Sequence, residues 1–238
     1  MNPLKFIPES WKEKLKVRSG AITLGQRLGN LRRAGFLPKQ IIDAGAFRGD
    51  WARVALRVFP EARVLMVEPQ EDCQSELRSL MQSDGRLGLC QTLLGASNGE
   101  HSFLIEGTNS RIVEGDWTPG PAARIEKRRM SRLEDAARDS GFGRAEFIKL
   151  DLQGHELEAL RGAGNLFGHC EVFMVEVSWL RIGEVPLMHE VLQKFVEKGY
   201  RPYDICGHNY RPRDGALWQS DIIFVHEDSL LVSSREWA

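Results

Sequence analysis

Asp151, His155, Glu156 and Glu176 are the side chains in this sequence best suited to moving a proton. Asp151 follows the apolar run Phe147-Ile148-Lys149-Leu150, and Leu152-Gln153-Gly154-His155-Glu156 comes straight after it. Glu176 closes a second apolar run, Val172-Phe173-Met174-Val175. Apolar runs that stop at polar clusters read as buried strands of a parallel sheet, which gathers its ligands outside the carboxyl ends of its strands. Two carboxylates and an imidazole at adjacent strand ends supply general acid–base chemistry. The imidazole, with an unperturbed pKa of ~6.5, lies closest to neutral pH. Asp151 or Glu176 needs burial, or the charge of the other, to rise into that range. Glu156 also reads as a first-turn acid favoured by the helix dipole. Lys149 reads as a flank residue or the partner of an acid. Oxygen ligands suit Mg²⁺, but this pair of carboxylates is too small a set to predict a metal.

A second cluster lies about a hundred residues upstream, in Ile41-Ile42-Asp43-Ala44-Gly45-Ala46-Phe47-Arg48-Gly49. Gly45 lets backbone approach a ligand closely, and Gly49 turns the chain into a helix. The loop around Ala46 and that helix's N-terminus form a polar cradle. The spacing is not G-x-G-x-x-G, which disfavours NAD or FAD and suits a cofactor without a pyrophosphate. Glu68 ends the next apolar run, 25 residues after Asp43, where a carboxylate can accept both hydroxyls of a ribose. Ala96-Ser97, following the third run, are expected near the adenine of such a cofactor. His208-Asn209-Tyr210 stand in a late loop that reaches over the pocket or is a bystander.

These residues need a scaffold. The sequence predicts helix within 10–35, a strand at 41–46, a helix at 50–59, a strand at 63–68, a helix at 71–81 and a strand at 87–94. An additional strand follows at 99–105. Residues 106–126 are irregular, rich in Gly, Pro and polar residues, as in a lid or binding loop. Ser131-Arg132-Leu133-Glu134 predicts a capping box opening a helix to about 140. Strand 146–151, helix 155–165, strand 171–177 and helix 186–198 come next, then strands 201–205 and 220–226 joined by residues 207–219. Strands alternating with helices imply a doubly covered α/β sheet, mostly parallel. The last two strands lack a helix between them, so one runs antiparallel. Seven strands so arranged are the pattern of class I S-adenosylmethionine (SAM) methyltransferases.

The 238 residues are 42% hydrophobic with a net charge of −1, which argues against a broad nucleic-acid face. Residues 1–39 carry nine Lys/Arg against Glu9 and Glu13, a basic helical extension ahead of a domain over 40–238. That arm is either a solvated helical face or a contact for an anionic surface. Four cysteines without a C-x-x-C pair read as buried thiols in a reducing compartment. No run is long enough to cross a bilayer and no secretory signal opens the chain, so a cytoplasmic location is expected.

With these pieces in order, the sequence resembles the FkbM-type methyltransferases. The matching segments are IIDAGAFRGDW, RVLMVEPQ, LLGASNGE, GTNSRI, RMSRLED, FIKLDLQGHELEALRGA, VFMVEVS and FVEKGYRPYDI, across about residues 40–226. The KLDLQGHELEALRGA stretch is the most specific. The resemblance implies a class I fold, SAM as cofactor, and O-methylation of a hydroxyl on a sugar, glycan, polyketide or similar metabolite. By position it implies that Asp43, Gly45 and Gly49 line the methionine side of SAM and that Glu68 holds the ribose. Asn109 and Ser110 match a polar loop near cofactor or substrate, and Asp151 and Glu156 match a late acidic motif. Phe47 stands where many members have Asn or His, and Gln153 where many have Glu. The competing readings are a SAM-binding scaffold without turnover and an RNA or protein methyltransferase. The latter lacks its Asn-Pro-Pro-Tyr type motif here.

Overall fold

The computed structural model describes residues 22–113, 123–183 and 185–234. Its elements are α1 (Leu24–Arg33), β1 (Gln40–Ala44), α2 (Asp50–Val58), β2 (Arg63–Val67), α3 (Glu71–Ser83), β3 (Leu87–Cys90), β4 (Leu93–Leu94), β5 (Gly99–Ile105), β6 (Arg111–Ile112), β7 (Arg124–Ser131), α4 (Leu133–Asp139), β8 (Phe147–Leu150), α5 (Glu156–Arg161), β9 (Val172–Ser178), α6 (Met188–Val196), β10 (Tyr200–Tyr210) and β11 (Leu217–His226).

Seven strands form one sheet in the order β3-β2-β1-β8-β9-β11-β10. Its pairings are parallel except that β11 runs antiparallel to both β9 and β10. This is the predicted α/β architecture, with one antiparallel strand near the edge. The central strands are buried on both faces, so they read as continuous apolar runs. Ile42, Ile148, Phe173 and Phe224 pack into one core and Ile41, Phe147, Met174 and Ile223 into the other. Rings stiffen each core. Phe36, Trp51, Phe59 and Phe147 meet edge to face in one, and Phe167, Phe173, Phe195 and Tyr200 cluster in the other.

A smaller sheet, β4-β7-β5-β6, grows out beyond β3. It revises the sequence reading in three ways. The predicted strand 87–94 divides, with β3 ending at Cys90 and β4 joining β7. The segment expected to be irregular contains β6, and its end enters β7; residues 114–122 lie outside the described residues. Ser131 is the last residue of β7 rather than a helix cap, so Arg132 precedes α4 without a side-chain cap. The Glu134 carboxylate instead accepts the Asn165 amide. Long-range pairing has outcompeted the local capping signal.

The final hairpin is also longer than expected. β10 and β11 extend through most of 207–219, leaving a short turn. β10 is an edge strand carrying Pro202 and three register shifts, features that blunt edge pairing. Helix α1 opens with a Thr23–Gln26 capping box and buries Leu28 and Leu31 against the α2 side. Arg27 pairs with Asp204 of β10 at 2.8 Å. The remainder of the basic arm, residues 1–21, lies outside the described residues. All four cysteines are free. No described helix is long and apolar enough to cross a membrane.

Candidate active site

The parallel register brings both predicted clusters to one sheet edge. Asp43 of β1 is paired opposite Lys149 of β8, although they are 106 residues apart in sequence. Past the last pair, the glycine loop and the Asp151 turn continue side by side. Gly45 has φ +79°, and a Cβ there would lie 2.0 Å from the Asp151 carbonyl oxygen. Only glycine lets the two loops touch.

Lys149 joins them. Its ammonium donates to Asp43 Oδ1 at 3.1 Å and to the Gly45 carbonyl at 3.0 Å. It lies 3.4 Å from Asp151 Oδ2. Burial by itself would strip its proton, but the charges of Asp43 and Asp151 outweigh that and hold the pKa above its ordinary value. Asp43 is sealed from solvent, and its Oδ2 has no hydrogen-bond partner. Asp43 therefore faces Lys149 beneath the loop rather than open solvent. Lys149, read from the sequence as a flank residue or the partner of an acid, pairs with two acids and is the hub of the cluster.

The glycine loop leads to α2 through Gly49, at φ +77°, where a Cβ would meet Leu80 at 2.6 Å. No side chain caps this helix, leaving its N-terminal amides and dipole available to an anion. Ala46 is buried, with its amide on Val67 and its carbonyl accepting Gly49. Phe47 has a left-handed φ of +48°, uncommon outside glycine and asparagine. Its amide donates to Glu68 Oε2 at 2.8 Å, and the Gln70 amide donates to Oε1 at 2.9 Å. Glu68 thus locks loop to strand end. Each oxygen keeps further accepting capacity. Burial pushes its carboxyl up.

The small sheet delivers Ser110 to this corner. Its hydroxyl donates to Gln70 Oε1 at 3.0 Å and is buried, whereas Asn109 is exposed. Ala96 and Ser97 are placed differently from expectation. Because β3 stops at Cys90, they lie exposed on the turn into β5, and neighbouring Asn98 is tied to Arg132 and Asp135 of the α4 region. Gln91 follows β3 directly, and the Cys90 carbonyl accepts the Glu68 amide at 3.1 Å.

On the acidic side, β8 pairs with β9, so Asp151 and Glu176 emerge from adjacent strands. Gln153 sits between them. Its Nε2 is 2.9 Å from Asp151 Oδ1 and 3.1 Å from Glu176 Oε2. Gln219 of β11 donates to the same Glu176 oxygen at 2.9 Å. Burial, then the charges of Asp151, Glu156 and Asp221, push the Glu176 carboxyl up to about 9. Glu156 is buried and accepts the Leu152 and Gly154 amides at 2.8 and 3.2 Å. Burial lifts it to about 7. It shapes its own turn. His155 precedes α5, and a Cβ on Gly95 would come 3.3 Å from its Nε2. Its ring therefore faces the end of β4. Among the described residues, no group of three or more His, Cys, Asp and Glu is arranged to hold a metal ion. His208, Asn209 and Tyr210 lie exposed on β10.

Residues 43–202 match the family described as the methyltransferase FkbM domain. The chain belongs to the FkbM methyltransferase family. It is 26% identical over 213 residues to the methyltransferase sdnD of Sordaria araneosa, covering 76% of this chain and 77% of that protein. Among solved structures, it is similar to methyltransferase FkbM from Methylobacillus flagellatus KT, with a TM-score of 0.53 and 16% identity. That match covers 79% of this chain but only 43% of the solved one, and at this identity it speaks for the fold. The FkbM assignment agrees with the resemblance carried by the motifs.

Gln70 and Gln219 escaped the sequence reading, and Lys149 entered it only as a flank residue or the partner of an acid. Lys149 stands inside the most specific motif, and a lysine in an apolar strand is itself a signal, since a buried ammonium needs acidic partners. Gln70 and Gln219 gave no local sign.

Proposed function

We propose that this FkbM-family methyltransferase transfers the methyl group of SAM to a hydroxyl of a sugar, glycan or secondary-metabolite acceptor. The observation that carries the reading is the contact of Gly45 with Asp151, braced by Lys149. It joins a cofactor cradle and an acidic cluster in one place.

The residues present fit SAM. The uncapped α2 N-terminus suits its carboxylate, and Glu68 keeps lone pairs for the ribose hydroxyls. Gly45, Ala46 and Gly49 line the methionine side. Asp43 supports them from below through Lys149. Ser110 and Gln70, linked beside Glu68, stand toward the base in place of Ala96 and Ser97, while Asn109 lies on the outer rim. When bound, SAM supplies a methyl group on a positively charged sulfur. The excess of acid over base around Lys149 favours that charge.

The protein's own work is alignment and proton removal. Asp151 and Glu176 flank the acceptor oxygen in this reading. Glu176 takes the hydroxyl proton, because its raised pKa makes it the stronger base once ionised. Asp151, beside Lys149 and Gln153, steadies the site electrostatically. His155 forms the wall toward Gly95.

Calorimetry with SAM, followed by S-adenosylhomocysteine release on a panel of hydroxylated sugars and polyketide alcohols, tests the reading. SAM binding with turnover on at least one alcohol is the expected result. Binding without turnover on any acceptor class favours the scaffold alternative, and no binding removes the cofactor assignment. We also propose that the catalytic domain spans residues 40–238 and that the enzyme works in the cytoplasm.

A further inference from the structure

We propose that Gln153 and Gln219 are positioning residues that clamp one oxygen of Glu176, leaving the other turned toward the acceptor. The inference rests on Glu176 belonging to the reaction site and adds how its carboxyl is held.

The geometry is specific. Gln153 Nε2 carries two hydrogens and has two carboxyl oxygens around it, one from Asp151 at 2.9 Å and one from Glu176 at 3.1 Å. Gln219 Nε2 reaches the same Glu176 Oε2 from the opposite strand at 2.9 Å. When Glu176 is ionised, each amide must point its nitrogen inward, because a carboxylate can only accept. Oε2 is thus held from two sides, from the Asp151 turn and from β11. Oε1 receives no hydrogen bond from these amides.

The backbone adds an independent observation. Gln153 has φ +54°, one of two non-glycine residues in the left-handed region among the described residues. A side chain there is strained, and persists where the surroundings demand it. Glycine follows at 154, so the turn has a residue suited to that region beside one that is not. What Gln153 supplies in return is the bridge between the two acids. Gln219 is buried on the antiparallel strand, whose register opposes it to Ser178 and Asp221 to Glu176. The turn after β8 and the distant strand β11 therefore converge on one carboxyl.

Proton bookkeeping is simple. With Glu176 ionised, the acceptor O–H proton passes to Oε1 as the acceptor oxygen bonds to the methyl carbon. The S–C bond breaks and its electron pair stays on sulfur. The clamp fixes which oxygen receives the proton and donates hydrogen bonds to the ionised form. Four further groups act on Glu176: Asp151, Glu156 and Asp221 disfavour its charge, and Lys149 favours it.

The test uses the full chain with ¹³C-labelled glutamate carboxyls, titrated by NMR without acceptor. The Glu176 signal is the one missing from Glu176→Gln. Gln219→Leu and Gln153→Leu each remove a donor to the ionised form, so the Glu176 titration should move up by about one pH unit. Should either leucine variant fail to fold, Gln219→Glu replaces the donor with a second acid, and the signal should titrate in two steps. A titration unchanged in Gln219→Leu and Gln153→Leu, or a single unshifted step in Gln219→Glu, overturns the clamp. Turnover of Glu176→Gln separates the underlying reading. Retained turnover alongside shifted titrations keeps the clamp and removes Glu176 as proton acceptor. Lost turnover with unshifted titrations removes the clamp alone.

Discussion

The Lys149 ammonium donates to the Gly45 carbonyl at 3.0 Å, tying the strand that leads to the acids directly to the glycine loop. The glycine loop proposed to cradle the cofactor and the acidic cluster proposed to react are therefore one mechanical unit. A disturbance on either side is transmitted to the other through a single buried charge.

Replacing Lys149 with Met should test that unit. The change leaves Asp43 fully buried without its partner, which costs about 3–5 kcal/mol. Urea denaturation should show that loss. The double variant Asp43→Asn/Lys149→Met should recover a large part of it, because no unpaired charge remains. Equal stability of the single variant and the wild type would show that the pair is not an ion pair.

Gly45→Ala should be severe. The new Cβ would overlap the Asp151 carbonyl, and its backbone stays at φ +79°. Strain of this kind is worth about 1–3 kcal/mol before the clash is counted. We expect SAM affinity, read by calorimetry, to fall at least about tenfold as the loops separate. Unaltered affinity in a folded variant would place the cofactor elsewhere.

Glu68→Ala should weaken SAM binding by about 1–3 kcal/mol, the scale of a lost charge-assisted site. Part of that comes from releasing the Phe47 and Gln70 amides. A nucleoside lacking both ribose hydroxyls separates the two contributions. It should bind the variant and the wild type with closer affinities than SAM does, and an undiminished gap would refute the ribose contact.

Turnover should rise with pH. Glu176 carries a proton at neutral pH, because burial and nearby acids push its carboxyl up to about 9. If its ionised form accepts the proton, kcat should climb toward pH 9 and then level. Glu176→Gln should lose that rise, and Asp151→Asn should spare SAM binding while cutting turnover. A flat profile between pH 6 and 9 assigns the proton to another group.

Stability should show the opposite trend. Glu176 holds its proton more tightly folded than unfolded, so between about 4.5 and 9 the folded state binds more protons. The stabilisation this confers is present at low pH and is lost as pH rises through that window, at up to ~1.4 kcal/mol per pH unit. Glu176→Gln should therefore gain stability over wild type at pH 8 relative to pH 5. Parallel stability curves for the two proteins across that range would contradict the raised pKa.

Much of the scaffold is written locally. The buried runs at 41–44, 63–67, 147–150 and 172–177 carry the parallel sheet, because strands covered on both faces have no polar side to show. Gly45, Gly49 and Gly154 mark turns in which the backbone takes positive φ, and Asp43, Glu68, Asp151 and Glu176 stand at strand ends. Residue type and spacing suffice for such features.

Tertiary structure decided the rest. Lys149 meets Asp43 only because β1 and β8 pair in one register, and Gln219 meets Glu176 only because β11 runs antiparallel against β9. The small sheet divides the third strand, moves Ala96 and Ser97 away from its tip, and carries Ser110 to Gln70. Local patterns encode period and turn. They do not encode which distant strand supplies a partner, since that depends on register and on the demand of each buried charge and amide to be satisfied.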